Sequence, residues 1–446
     1  MLKQVRIFSV IGMPVIIALL LFSNCAERFT TKAEVTPKTR LAQAKRSPEK
    51  TEKFYTELIT NSTPFKNILW PNSYTDFGGI KRITLFADNL FIETGDSKSL
   101  FALDTVSGNT KWVFQEGELL FPPSIITELP LQVERLRKER DELIVKYQDE
   151  RYKKGVLSAD LDKMKTDIST LKTNIETKLS RDSVYAMVGL TLFCLTRSGG
   201  DRLWSKELKF VPSGIPCPSE NITYIPAMGN DRIYMANNFD PIAVTQNWFH
   251  PSGRITSNIV YSDPFIYYAT DNNRIYAMMA DEVRWDYDVE SRITADLVLA
   301  KASPTETFIL AASTDYAIYA LNKNTGKEHW KFETAAPITT TPSVSGGQVY
   351  VLSDNNAMFC LSLLDGKEIW RSQSYKKFLA RGKERVYMYG MKGEICAVEE
   401  KTGEKLETYP VPAKFDFILA DPETSIVYFV TQDGFIFAAT ESELKY

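Results

Sequence analysis

Apolar residues along most of this chain come in short runs of five to seven, not in helical stripes. One set reads NLFIETG (89–95), SVYAMVG (183–189), QVYVLSD (348–354) and RVYMYGM (385–391). A second set reads LFALD (100–104), LFCLT (192–196), IYALN (318–322) and MFCLS (358–362). Their length, period-2 alternation and enrichment in aromatic and β-branched residues predict strands. Between the runs stand turn residues. A third strand signal follows a Pro, as in PPSII (122–126) and TPSVS (341–345).

The runs belong to a repeated unit. NTGKEHWKF (324–332) returns as LDGKEIWRS (364–372). The chain's seven Trp residues, Trp70, Trp112, Trp204, Trp248, Trp285, Trp330 and Trp370, stand 37 to 45 residues apart, apart from one longer gap. Gly108, Gly200, Gly326 and Gly366 each lie four residues before a Trp. Four short strands per roughly 40 residues, repeated in phase, predict a β-propeller with one blade per unit. The Gly serves the hairpin between third and fourth strands, which requires positive φ. The Trp falls on the outer strand, where a large flat side chain fills the wedge between blades.

Two units are incomplete. KTGEKLETY (401–409) keeps Gly403 but has Glu407 at the Trp position. SIVYFVTQDGFIFAATE (425–441) supplies two strands and no outer one. The outer strand stands at the other end of the domain, in PFKNILW (64–70) with Trp70. Residues 65–70 are therefore expected to complete the last blade, leaving no open edge. The count is eight four-stranded blades over 64–446, in an all-β class.

The longer Trp gap holds an insertion at 129–181. Helix formers dominate there, and Leu157, Leu161, Met164, Ile168, Leu171, Ile175 and Leu179 alternate by four and three. That is a coiled-coil seam, matched by Val133, Leu136, Leu143 and Tyr147. With Gly155 at the turn, two antiparallel helices are expected to project from the face that carries the TGK turns. The hairpin is either a self-contained decoration or an arm for a partner.

The N-terminus changes the cellular picture. Lys3 and Arg6 precede an apolar run over Ile7–Phe22 that ends in SNC at Cys25. This layout is that of a secretory signal; a retained membrane anchor is the alternative. LFSNC resembles a bacterial lipobox, with Asn24 in place of the usual small residue, so the resemblance implies a signal peptide over 1–24 and lipid on Cys25. Residues 25–63 are polar, charged and without clear periodicity, which predicts a flexible tether.

Composition narrows the chemistry. A net charge of −3 leaves no basic footprint for nucleic acid. Two His residues in 446 make a His-built metal site or catalytic triad a poor expectation. His329 occupies a slot held elsewhere by Lys111, Leu203 and Ile369; His250 follows Trp248 in a loop. Cys194, Cys360 and Cys396 read as small residues in the slot filled by Ala102, Ala277, Ala320 and Ala438. Cys217 stands outside that slot between Pro216 and Pro218, and disulfide pairing is left open.

The Gly–x3–Trp units with LYALD-type strands resemble the PQQ-like, or quinoprotein-type, propeller repeat. The resemblance spans about 64–441 without the insertion. It implies one of two functions. One is a dehydrogenase holding pyrroloquinoline quinone and calcium; its relatives carry an adjacent Cys-Cys pair and long loops, which this chain lacks. The other is a non-enzymatic scaffold of the BamB-type lipoproteins of the outer-membrane β-barrel assembly machinery, which share the lipobox, tether, eight blades and closing strand. That resemblance implies no catalytic, cofactor or metal residues. It implies protein partners including the central β-barrel assembly subunit, and an outer-membrane, lipid-anchored location facing the periplasm. A surface-exposed adhesion or sensor lipoprotein is a further alternative. The helical arm departs from the BamB pattern.

Overall fold

A computed structural model describes residues 49–441, with breaks at 87–88, 127–128, 152–157, 180–181, 230, 240–246, 280, 304, 383–384, 411–414, 421–425 and 432. The described residues lie within one compact unit, Ala42–Tyr446. The signal segment, Cys25 and the first part of the expected tether lie outside the described residues, as do Gly155 and Leu157.

Eight four-stranded antiparallel sheets form the blades of a propeller ring. Blades 1 to 7 span 80–114, 124–207, 217–249, 260–288, 298–333, 343–372 and 375–410. Blade 8 spans 415–440 and takes its outer strand, Asn67–Ser73, from the N-terminal side. The register runs from Asn67 opposite Thr440 to Ser73 opposite Phe435. Ring closure thus rests on hydrogen bonds between the two ends of the domain.

Burial explains the strand sequences. In blade 5 the two middle strands, Thr307–Ala312 and Ala317–Asn322, are buried at nearly every position, because neighbouring blades cover both faces. The outer strand, Glu328–Glu333, buries only Trp330 fully. Continuous apolar runs are therefore middle strands, and the polar phrase with one Trp is the rim.

The Gly and the Trp of one phrase do not meet each other; they serve different joints. Trp285 lies on Gly326 of the following blade, Trp330 on Gly366 and Trp370 on Gly403. Trp112 lies on Gly200, and Trp70, from blade 8, on Gly108 of blade 1. Each of these five glycines has φ between 67° and 71°. A Cβ on Gly326 would stand 2.6 Å from Trp285 Cδ2. Gly is therefore required twice over, by the left-handed backbone and by the ring against it. The indole N–H completes the joint by donating to a carbonyl of the next blade. Trp112 Nε1 reaches Arg197 O at 2.8 Å, Trp285 Nε1 reaches Lys323 O at 2.9 Å and Trp330 Nε1 reaches Leu363 O at 2.9 Å.

Two repeat positions, Trp248 and Cys396, depart from the sequence reading. Trp248 is one residue out of phase: it pairs with Tyr234 and packs toward blade 2, while Phe249 takes the side facing blade 4. Cys396 is likewise one residue off the small slot. Ala397 pairs with Glu407, as Ala320 pairs with Trp330, and Cys396 faces blade 6 instead. A shift of one along a strand exchanges its two faces.

Glu407 stands in the Trp slot, as the sequence reading has it, opposite Ala397. Blade 8 has no chain-continuous third-to-fourth hairpin, because its outer strand comes from Asn67–Ser73, so a Trp at 407 would find no glycine turn. The wedge between blades 7 and 8 is filled differently. Glu49–Ser62, expected within the tether, forms a helix, α1. Its Tyr55 and Ile59, together with Phe65, are buried among Tyr387, Ile395 and Ala397 of blade 7 and Phe429, Phe435 and Phe437 of blade 8. The Phe65 ring lies 4.8 Å from that of Tyr387, and Tyr55 Oη donates to Asp433 at 2.7 Å. Docking supplies the order that the charged composition of this segment would not supply alone.

The insertion forms two helices, α2 (Leu129–Arg151) and α3 (Ser158–Leu179), in the first-to-second strand connection of blade 2. In an antiparallel blade that connection leaves from the same end as the third-to-fourth turns. The foot of the arm is pinned there: Lys178 pairs with Glu220 in the corresponding turn of blade 3, and Arg197 bonds Asp182 at 2.7 Å.

Candidate partner-docking cleft

The second-to-third turns and the blade-to-blade crossings gather on the opposite end of the ring from the arm. A cleft of about 620 Å³ opens among them. Its walls are the crossing from blade 2 to 3 (213–215), the turn of blade 3 (226–232) and the crossing from blade 3 to 4 (251–259), with Asp296 from the next crossing.

Backbone hydrogen bonds hold these segments in place. Ser213 N donates to Pro226 O at 2.8 Å, and Thr256 N to Ala269 O at 2.9 Å. Asp296 accepts from Asn258 N at 2.9 Å, which joins two crossings. Each crossing is thus tied to a strand or to a neighbouring crossing, although the segments are loops in sequence.

Two lining groups have hydrogen-bonding capacity left over. Arg232 lies with its guanidinium 3.6 Å from the Trp248 ring centroid, and its Nε is buried without a partner among the described residues. Thr256 Oγ1 is likewise buried without a partner. An unpaired buried polar group costs about 1–3 kcal/mol, so both atoms are held where they are by the packing of the wall around them. Trp248, out of phase with the other six, is the platform that holds Arg232.

Beside these polar groups stands an apolar shoulder. Met228 is 64% exposed and Val211 48%, and Met228 N donates to Val211 O at 2.8 Å, which sets them side by side. Leu120 and Leu190 are exposed on the same face at blade 2. Exposed apolar side chains beside a polar cleft suit recognition of a protein surface.

Of the residues that could carry chemistry, His250 stands at the cleft wall and the others do not line it. His329 stacks on Phe308 at the rim and contacts Leu364 O at 2.9 Å through Nε2. His250 Nδ1 lies 3.1 Å from Asp231 O. Cys194, Cys217, Cys360 and Cys396 are buried free thiols. Burial pushes Cys194 up to about 11, and Cys217 and Cys360 up to about 12. Among the described residues no group of three or more His, Cys, Asp or Glu is placed to hold a metal ion.

Sequence reasoning missed the cleft and one repeated turn of its face. Thr94 Oγ1 donates to Asp96 at 2.6 Å, Ser353 Oγ to Asn355 at 2.7 Å and Thr431 Oγ1 to Asp433 at 2.7 Å. The signal was a Thr/Ser–x–Asp/Asn pattern after the second strand, a side-chain turn that sets the loop geometry of this end.

Eight four-stranded blades, five of their joints closed by a Trp–Gly contact, form a β-propeller, the fold that the resemblance to the PQQ-like repeat implies. Within that class, a family model described as outer membrane protein assembly factor BamB matches residues 271–419. The crystal structure of BamB from Moraxella catarrhalis is similar at 11% identity, over 85% of this chain and 98% of that one, with a TM-score of 0.55. The crystal structure of the computationally designed Ika8 protein is similar at 13% identity, over 84% of this chain and 99% of that one, with a TM-score of 0.49. No curated protein matches the chain.

Proposed function

We propose that this chain is a non-enzymatic scaffold of the BamB type, acting in the assembly of outer-membrane β-barrel proteins. The observation that carries the reading is the match of residues 271–419 to the BamB family model, within a ring of eight similar blades. The cleft supplies the means. The half-buried Arg232 in its wall, beside exposed Met228 and Val211, suits a partner that offers an anionic or hydrogen-bond-accepting group next to an apolar side chain. The buried, protonated thiols and the placement of both histidines at exposed sites support binding over catalysis.

In this reading residues 1–24 are a signal peptide, Cys25 carries lipid and the segment up to α1 is the tether. The propeller is held at the outer membrane on its periplasmic side. Among the described residues no helix is long and apolar enough to cross a membrane.

Affinity purification from the native cells tests the proposal. The central β-barrel assembly subunit is expected to co-purify with the wild-type chain and to be depleted with Met228→Asp combined with Arg232→Ala. Recovery of that subunit in neither preparation, or equally in both, would overturn the assignment of the cleft.

A further inference from the structure

The arm carries a groove of its own, about 530 Å³ in volume, along one side of the α2–α3 seam. The seam is deeply buried only at its foot, where Val133 and Ile175 are each 4% exposed. Farther out, Leu143, Tyr147, Met164, Ile168 and Leu171 are only half-buried. Two helices cannot close a seam on both sides, and a third helix is the usual means of covering the open one.

The rim of the groove is acidic. Leu143 and Leu171 line it together with Glu139, Glu142 and Asp167, against a single cation, Lys146. Some charges elsewhere on the arm are paired: Arg140 with Asp141, Lys165 with Asp162 and Lys172 with Glu176. Glu139, Glu142 and Asp167 have no cation or hydrogen-bond partner among the described residues.

We propose that this groove seats an amphipathic helix of a partner protein, with a Leu-type stripe facing the seam and Lys or Arg on both flanks. Charge complementarity selects that occupant. A second copy docked groove to groove would set the three carboxylates against their own equivalents, and an anionic membrane surface would be repelled. The lined stretch from Glu139 to Lys146 covers roughly 10 Å of helix, so the occupant needs about two to three turns. The inference does not depend on the cleft, which lies on the other end of the ring.

The probe is a fluorescein-labelled three-heptad peptide with Leu at a and d and Lys at e and g. Its counterpart carries Glu at e and g. Both are titrated with the full chain and followed by anisotropy. The Lys peptide is expected to bind, to weaken as salt rises, and to lose about tenfold in affinity with Glu139→Gln/Glu142→Gln/Asp167→Asn. These substitutions are isosteric and superficial, and far-UV circular dichroism checks that the helices persist. Met228→Asp combined with Arg232→Ala, in the cleft, is expected to leave the peptide affinity unchanged, which separates this site from the proposed function. Equal binding of both peptides, affinity that survives removal of the three charges, or no binding up to about 1 mM would each overturn the proposal. So would sedimentation of the chain as a dimer that the same three substitutions dissociate.

Discussion

Replacing Gly326 with Ala tests whether blades are joined across units, as the contacts state. The new Cβ would stand 2.6 Å from both Cδ2 and Cε3 of Trp285, at a residue with φ of 67°. Two costs add. A left-handed conformation in a residue with a Cβ costs about 1–2 kcal/mol. Displacing a packed ring costs about 1–3 kcal/mol more. The single substitution is expected to cost about 2–5 kcal/mol. In a Trp285→Leu background the ring is gone, so only the backbone cost remains. The double mutant should then be more stable than the sum of the singles by about 1–3 kcal/mol. Trp330 stands four residues from Gly326 but lies on Gly366, so Gly326→Ala and Trp330→Leu should add within about 0.5 kcal/mol. Leu is chosen because it keeps part of the apolar volume and leaves the protein folded. Urea unfolding followed by circular dichroism and fluorescence measures all five variants. Coupling of Gly326 to Trp330 as strong as to Trp285, or none to either, would refute the joint.

Three further outcomes follow from the same contacts. Phe65→Ala, which empties the wedge that Glu407 leaves, is expected to cost about 3–5 kcal/mol in urea unfolding, whereas Glu407→Trp should gain nothing; a gain of 1 kcal/mol or more, on the order of a full cap, would contradict the closure argument. Cys194, Cys217, Cys360 and Cys396 should resist Ellman's reagent at pH 8 in the folded protein and all react on unfolding, measured in a Cys25→Ser background; rapid reaction of any one would show its burial to be wrong. Burial, with the bond to Asp433, raises Tyr55 from 10.0 to about 12, so its contribution is complete below pH 10 and is lost as pH rises through about 12. The melting-temperature gap between wild type and Tyr55→Phe should therefore hold steady below pH 10 and shrink toward pH 12, and a gap that widens there would reverse the sign.

Blades 1, 2, 5 and 6 were legible because each is written out in local sequence: two apolar runs, a Gly turn and a Trp. What binds one blade to the next was not. Gly326 and Trp330 share a phrase, yet each finds its partner about 40 residues away, in opposite directions around the ring. A repeat read as a string does not reveal which half of a unit faces forward. The α1 segment shows the same limit. EKTEKFYTELITNS is too charged to read as core, and only the wedge at blades 7 and 8 makes Tyr55 and Ile59 a buried pair. Trp248 fitted the spacing but not the face, because a one-residue shift leaves the interval near 40 and turns the side chain around. The cleft escaped entirely. Its walls come from three loops in different blades, each an ordinary Gly- and Pro-bearing connection when read alone. The arm was visible as a seam, but the unpaired state of Glu139, Glu142 and Asp167 depends on which cations fold within reach.

Docking of the β-barrel assembly machinery on the cleft face can be read out by photocrosslinking in the native cells. A photoreactive residue is placed at Val211 in the cleft shoulder, and separately at Val106, exposed on the arm-bearing face. A crosslink from position 211 to the central β-barrel assembly subunit is expected, absent from position 106 and lost when Arg232 is replaced by Ala. No crosslink to that subunit from 211, or one from 106 alone, would contradict it.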